Sequence, residues 1–256
     1  MMKSMNRILR GLVLKLGYDV VNVRARENQF PPDFDDPCIN LVREVRPFTM
    51  TSAERIFALR ESVEYIVANS VPGDIVECGV WRGGSMMVVA RTLVELGATD
   101  RFLNLFDTFE GMSEPTAADR TLSDNTSAEL MMREKEEKNE KWCYCPVDDV
   151  KKNVFSTGYN ANQVRFIKGR VEETLPEHAP AKIALLRLDT DWYESTYHEL
   201  VHLYPRLSVG GVLIIDDYGH WSGAKKAVDQ YFADNGLPLL LNRVDNTGRI
   251  GQKLAA

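Results

Sequence analysis

Two short segments place pairs of carboxylates directly after apolar runs: Asp189 and Asp191 follow Leu185-Leu-Arg-Leu188, and Asp216 and Asp217 follow Ile214-Ile215. Three or four carboxylates at close range cannot all stay ionised unless a cation joins them. Oxygen-only donors suit Mg²⁺, with Mn²⁺ or Ca²⁺ as alternatives, better than zinc. A cation bound to an alcohol oxygen lowers its pKa and orients it, leaving a neighbouring carboxylate to take the proton. Taken singly, each Asp is also a turn former or a helix cap. Their joint position behind apolar runs is what points to a metal site.

A second set of residues has the chemistry of a nucleoside pocket. Glu77-Cys-Gly-Val-Trp-Arg-Gly-Gly-Ser85 leads from an apolar run into a helical pattern. Glycines there let backbone approach a ligand, and a helix start offers free N–H groups. The G-x-G-x-x-G dinucleotide fingerprint is absent, because Val80 follows Gly79 and Trp81 takes the second glycine position. Asp107 ends the next apolar run, where an acid is placed to accept from both hydroxyls of a ribose. A ribose without a pyrophosphate indicates a nucleoside-type cofactor, S-adenosylmethionine, whose ammonium group Glu77 can face. The plain alternative is a tight strand-to-helix loop with one acid.

These residues need a scaffold that gathers the ends of several strands. Strand patterns fall at Ile75 to Cys78, Phe102 to Phe106, Val164 to Ile167, Ile183 to Leu188 and Val212 to Ile215, with Leu237 to Leu241 and Arg249 to Lys253 closing the sheet. Helical patterns lie between them at Gly84 to Leu96, Ser195 to Tyr204 and Ala224 to Ala233. Such alternation predicts an α/β fold with a mostly parallel sheet covered on both faces, and ligands beyond the carboxyl ends of the strands. Thr51-Ser-Ala-Glu54 reads as a capping box opening a helix to about Asn69. Residues 18 to 48, with Pro31, Pro32, Pro37 and Pro47, read as an ordered arm without periodicity. Met112 to Thr157 is an insertion at the strand-end rim, with a charge run from Met131 to Lys141 that suits both a solvated helix face and a substrate lid.

With 256 residues, the chain suits one α/β domain, spanning 1–256 with 1–48 as N-terminal helix and arm and 112–157 as lid. A net charge of −6 argues against a general nucleic-acid binder. Cys38, Cys78, Cys143 and Cys145 form no C-x-x-C pair and read as reduced thiols of a cytoplasmic protein. No apolar run approaches the roughly 20 residues that span a bilayer. Arg7, Arg10 and Lys15 interrupt the apolar N-terminus. Ile8, Leu9, Leu12, Val13 and Leu16 share a helical face, suited to packing on the domain, a second subunit or a membrane surface.

The segments Met50-Thr-Ser-Ala-Glu-Arg55, Gly73 to Met87, Phe106-Asp-Thr-Phe-Glu-Gly-Met112, Leu188-Asp-Thr-Asp-Trp-Tyr-Glu-Ser-Thr196, Gly210-Gly211 and Ile214-Ile-Asp-Asp-Tyr-Gly219 occur in this order. The chain thereby resembles the macrocin O-methyltransferase family, which methylates sugar hydroxyls in macrolide and novobiocin biosynthesis. The resemblance implies a class I S-adenosylmethionine-dependent methyltransferase fold, Rossmann-like with seven strands, and a Mg²⁺ (or Mn²⁺) site. It implies Asp189, Asp216 and Asp217 as metal ligands, Asp189 doubling as base, and Asp191 as a weaker base candidate. It also implies cofactor contacts from Thr51, Glu77, Gly79, Val80, Trp81, Ser85, Asp107, Thr108, Phe109, Glu110 and Gly111, with Gly169, Arg170 and Val171 flanking the adenine. A glycosylated small-molecule acceptor and a homo-oligomer follow from the same likeness, with a cell-surface glycan as the other acceptor left open.

Two rival readings remain at this level. His198-Glu-Leu-Val-His202 is a literal H-E-x-x-H, the helix signature of zinc hydrolases, although Pro205 follows at once. A non-catalytic binding module on the same fold is the other; a decayed enzyme has no reason to keep both the ribose acid and the acid cluster.

Overall fold

The computed structural model describes residues 13–17 and 30–254. The chain divides into two units, Met1–Ile39 and Asn40–Ala256. Their boundary falls inside helix α1 (Asp36–Val45). Most of the amphipathic N-terminal face lies outside the described residues.

Five apolar runs form parallel strands: β1 (Asp74–Cys78), β2 (Leu103–Asp107), β3 (Val164–Lys168), β4 (Ile183–Leu188) and β5 (Leu207–Ile215). Two short strands, β6 (Asn242–Arg243) and β7 (Arg249–Gln252), complete a seven-stranded sheet of order β3-β2-β1-β4-β5-β7-β6. β7 runs antiparallel to both neighbours. This is the mostly parallel, seven-stranded sheet expected of a class I methyltransferase.

β4 is buried at every position, which is why its sequence is apolar apart from Arg187 rather than alternating. One face of the sheet carries Val76, Cys78, Phe106, Leu186, Leu188, Leu213 and Ile215 into a core with Leu200 and Leu203 of α7 (Tyr193–Leu203) and Val228 and Tyr231 of α8 (Ser222–Asp234). Because side chains alternate along a strand, Glu77, Arg187 and Ile214 point to the opposite face. Helix α2 (Ala53–Ala68) packs there over β4 and β5, and against α3 (Gly84–Glu95).

The register aligns the strand tips. Cys78 pairs with Phe106 and with Leu188, and Leu188 pairs with Ile215. The next hydrogen bonds run from Gly79 N to Phe106 O, from Asp189 N to Cys78 O and from Asp216 N to Leu188 O, each 2.9 Å. Asp107, Gly79, Asp189 and Asp216 therefore stand in one row across four neighbouring strands. The row is close enough that a Cβ on Gly79 would lie 2.0 Å from the Asp189 carbonyl oxygen, and Gly79 has φ +82°.

Local expectations differ from the structure at four places. The N-cap of α2 is Ser52, which accepts from Arg55 N, and not Thr51. Either hydroxyl residue can cap, and the turn uses the one that leaves Thr51 facing the acids. The arm called aperiodic contains α1, with Pro37 in its first turn where a missing N–H costs nothing. Leu237 to Leu241 is not a strand; Pro238 lacks a ladder donor, and Leu237, Leu239 and Leu241 pack on the core as a loop before β6. The insertion holds two helices, α4 (Ala128–Glu137) and α5 (Val147–Phe155), followed before β4 by the single turn α6 (Val171–Thr174).

Gly79→Ala is expected to lower the melting temperature by roughly 4 °C or more, from backbone strain of about 1–3 kcal/mol alone. Thermal denaturation checks this, and a variant melting with the parent would contradict the close approach of the β1 and β4 tips.

Candidate active site

The strand-tip row opens onto a cavity of about 330 Å³. The charge around which its acids gather is Arg187, 3% exposed in the middle of the sheet. Arg187 Nη1 donates to Glu77 Oε1 at 2.5 Å and to Asp189 Oδ2 at 2.7 Å. Its Nη2 donates to Asp216 Oδ1 at 2.5 Å and to Thr51 Oγ1 at 3.2 Å. Glu77 and Arg187 are cross-strand neighbours in the β1–β4 register, so the sheet itself sets their contact. Arg55, in the first turn of α2, brings a second guanidinium, pairing through Nη1 with Asp216 and through Nε with Asp245 Oδ2 at 2.9 Å.

Arg187 thus meets the carboxyl groups of Glu77, Asp189 and Asp216, and Arg55 those of Asp216 and Asp245, while Asp191 and Asp217 line the same cavity. Burial pushes Asp189 well above the usual carboxylate range against the pull of Arg187, with Asp216 and Asp217 adding to the rise. Burial does the same to Asp217, reinforced by Asp191 and Asp216. Glu77 is pushed by burial up to about 7 against Arg187. Asp191 is also pushed up to about 7, by burial and then by the charge of Asp189.

Asp189, Asp216 and Asp217 each offer one carboxylate oxygen, all within 4.8 Å of one another. Asp217 Oδ2 is buried and has no hydrogen-bond partner. A buried carboxyl oxygen without a donor, beside two more acids, is a poor resting arrangement for protein alone and a good one for a hard divalent cation. The residues fit such an ion.

The cofactor side is built from the same row. Asp107 Oδ2 accepts from the backbone N–H of Val80 at 2.6 Å and of Trp81 at 3.0 Å, and its Oδ1 accepts from Phe109 N at 2.6 Å. A carboxylate has about four acceptor sites. Three of them are taken by loop amides, which fix this carboxylate on the wall of the cavity. The large cavity is lined by Thr51, Gly79, Val80, Trp81, Ser85, Asp107 and Gly111, together with Asp189, Asp191, Asp216 and Asp217. A smaller cavity of about 60 Å³ shares Gly79, Asp107 and Gly111 and adds Thr108, Gly169, Arg170 and Val171.

Three residues on the expected cofactor roll stand apart from both cavities. Glu77 is turned inward to Arg187. Phe109 is buried, its ring 6.3 Å from that of Phe166. Glu110 is exposed and paired with Lys168 at 2.6 Å. Conversely, sequence reasoning gave no role to Arg187, Arg55, Cys143 or His220, the last three of which line the large cavity. A lone arginine inside an apolar strand was a usable signal, since a buried guanidinium requires acids.

The insertion forms the outer wall. Trp142 stacks edge-on to Trp192, with ring centroids 6.0 Å apart, and lies 6.2 Å from Trp221. Trp221 Nε1 donates to Asp191 Oδ1 at 2.9 Å, and Asp191 has a left-handed φ of +70°. Asp119, fully buried, accepts from Tyr193 N at the start of α7 and so ties the insertion to the sheet's helices. The charged face of α4 stays solvated.

The H-E-x-x-H segment does not assemble a zinc centre. Glu199 points inward and accepts from Thr190 Oγ1 at 2.9 Å, while His198 Nε2 lies 3.4 Å from Leu175 O. Among the described residues, Asp189, Asp216 and Asp217 are the one group of three or more acids, histidines or cysteines placed to hold an ion. All four cysteines are free. No helix among the described residues is long and apolar enough to cross a membrane.

Comparison with known proteins agrees with this geometry. The chain is 38% identical over 208 residues to the 8-demethyl-8-(2,3-dimethoxy-α-L-rhamnosyl)-tetracenomycin-C 4'-O-methyltransferase of Streptomyces olivaceus, covering 81% of this chain and 76% of that protein. It is 34% identical to the demethyldecarbamoylnovobiocin O-methyltransferase of Streptomyces niveus, covering 80% and 75%. The structure of the O-methyltransferase NovP superimposes with a TM-score of 0.71 at 32% identity, covering 81% of this chain and 83% of NovP. A family profile described as Macrocin-O-methyltransferase (TylF) matches residues 32–253. The chain belongs to the macrocin O-methyltransferase family.

Proposed function

We propose that this enzyme moves the methyl group of S-adenosylmethionine to a sugar hydroxyl of a glycosylated small molecule, with Mg²⁺ or Mn²⁺ held by Asp189, Asp216 and Asp217. The observation that carries the reading is the buried, unpartnered Asp217 Oδ2 beside Asp189 and Asp216, on a cavity that also contains Gly79 and Asp107. The rhamnosyl group in the name of the Streptomyces olivaceus relative supports a sugar acceptor.

When bound, the cation supplies a Lewis acid that lowers the pKa of the acceptor hydroxyl. The chain's own residues do the rest. Asp107 and the Gly79 turn hold the adenosyl side, with Gly169, Arg170 and Val171 beside the base. Transfer of a methyl group then needs little beyond in-line placement of oxygen, carbon and sulfur.

Asp191 is the better proton acceptor, in place of Asp189. Asp189 commits one oxygen to Arg187 and would be among the ligands of the cation, both of which lower its affinity for a proton. Asp191 lines the cavity and is held by an indole N–H instead of a guanidinium, so it keeps its affinity for a proton.

Purified protein, methyl-labelled S-adenosylmethionine, Mg²⁺ and a panel of glycosides that includes demethyldecarbamoylnovobiocin and mycinamicin III test the reading. Label is expected on a sugar oxygen; cofactor binding without transfer to any acceptor would favour a binding module. EDTA is expected to abolish turnover and added Mg²⁺ to restore it, whereas full activity in chelator would remove the cation from the scheme. Asp191→Asn is expected to lower kcat about 10²-fold or more with the Mg²⁺ requirement unchanged. Asp217→Asn is expected to raise the Mg²⁺ concentration needed for half-maximal rate. Steady-state kinetics distinguish the two, and a near-parental kcat in Asp191→Asn would return the base role to Asp189.

A further inference from the structure

One buried acid takes no part in the chemistry above. Glu199, at the centre of the H-E-x-x-H segment, has 0% exposure and sits on α7, across the sheet from Arg187. Its Oε1 accepts from Thr190 Oγ1 at 2.9 Å, and its carboxyl also neighbours the Cys78 thiol at the tip of β1. Burial pushes this carboxyl well above the usual range.

Thr190 is the residue between Asp189 and Asp191. The turn it belongs to is strained: Asp191 has φ +70°, a left-handed conformation that a non-glycine residue rarely holds. Such a turn persists only where its surroundings fix it. Arg187 grips Asp189 from one face of the sheet, and Trp221 grips Asp191 from the lid side. Backbone bonds hold the turn as well, from Asp189 N to Cys78 O at 2.9 Å and from Trp192 N to Thr190 O at 2.8 Å, and the Thr190 hydroxyl, caught by Glu199 from the opposite face, is its side-chain anchor there.

We propose that Glu199 is a positioning residue: through Thr190 it fixes the turn that presents Asp189 to the cation and Asp191 to the acceptor. The proposal rests on Asp189, Asp216 and Asp217 being the cation site. It accounts for an acid held in the core, since the work is done by one accepted hydrogen bond. A neutral side chain with the same acceptor does it equally well.

The test is Mn²⁺ binding to the full chain with S-adenosylhomocysteine present, read from the free-ion signal in electron paramagnetic resonance. Thr190→Val is expected to weaken Mn²⁺ binding about tenfold or more, and Thr190→Ser to stay close to the parent. Glu199→Gln is expected to stay close to the parent and Glu199→Leu to match Thr190→Val. The Thr190→Val/Glu199→Leu double variant is expected to be no weaker than either single, because both remove one bond. Affinity for S-adenosylhomocysteine is expected to be unmoved throughout. Parental Mn²⁺ affinity in folded Thr190→Val, or additive losses in the double variant, would overturn the proposal. So would a Glu199→Leu protein with a lower melting temperature and unaltered Mn²⁺ affinity, since that is a scaffold effect alone. If Glu199→Leu does not fold, the Thr190→Val and Thr190→Ser pair decides the matter. A parent that binds no Mn²⁺ would refute the cation site itself, a failure visible before any variant is made.

Discussion

The arrangement of this protein depends on a buried guanidinium. Removing a charge from water costs several kcal/mol, and deleting one partner of a buried pair typically costs about 3–5 kcal/mol, because the other charge is left stranded. Arg187 escapes that cost only by contacting acids from three parallel strands: Glu77 on β1, Asp189 beyond β4 and Asp216 beyond β5. Each acid in turn needs Arg187, so register, strand order and site geometry stabilise one another. The network fixes Asp189 and Asp216 so that a carboxylate oxygen of each lies within 4.8 Å of one on Asp217, the place proposed for a divalent ion.

The cofactor and acceptor sides connect to this network at separate points. Thr51, set free by Ser52 capping α2, links the helix over β4 and β5 to Arg187 and lies near Asp216. On the other side the insertion brings Trp142 against Trp192 and Trp221, and Trp221 holds Asp191. A wall of the acceptor cavity and the orientation of the proposed base therefore share one aromatic cluster. Movement of the insertion would be felt at Asp191 with little effect on Asp107, which its own loop amides hold at the far end of the row.

Much of this was legible in the residues. Acids behind apolar runs marked the strand tips because parallel strands are buried on both faces, and the tips are where polarity returns. Asp107, Asp189, Asp216 and Asp217 were found that way. The contacts of Arg187 were not legible, since its partners lie 110 residues upstream and 29 downstream and meet only once the sheet forms. Ser52 and Thr51 are equally able caps, so only the tertiary demand on Thr51 separates them. Leu237 to Leu241 has the apolar content of a strand, yet Pro238 and the nearby core turn it into a packed loop. Glu77 was read as facing a ligand because it ends an apolar run next to the glycine turn; that its register partner Arg187 takes its Oε1 was not legible.

The account is tested most directly by anomalous diffraction from crystals grown with S-adenosylhomocysteine and Mn²⁺. It predicts one strong Mn peak among the carboxylates of Asp189, Asp216 and Asp217, with Arg187 still bonded to Glu77 and Asp189. An absent peak, or one bound elsewhere while these three acids remain in place, would contradict it.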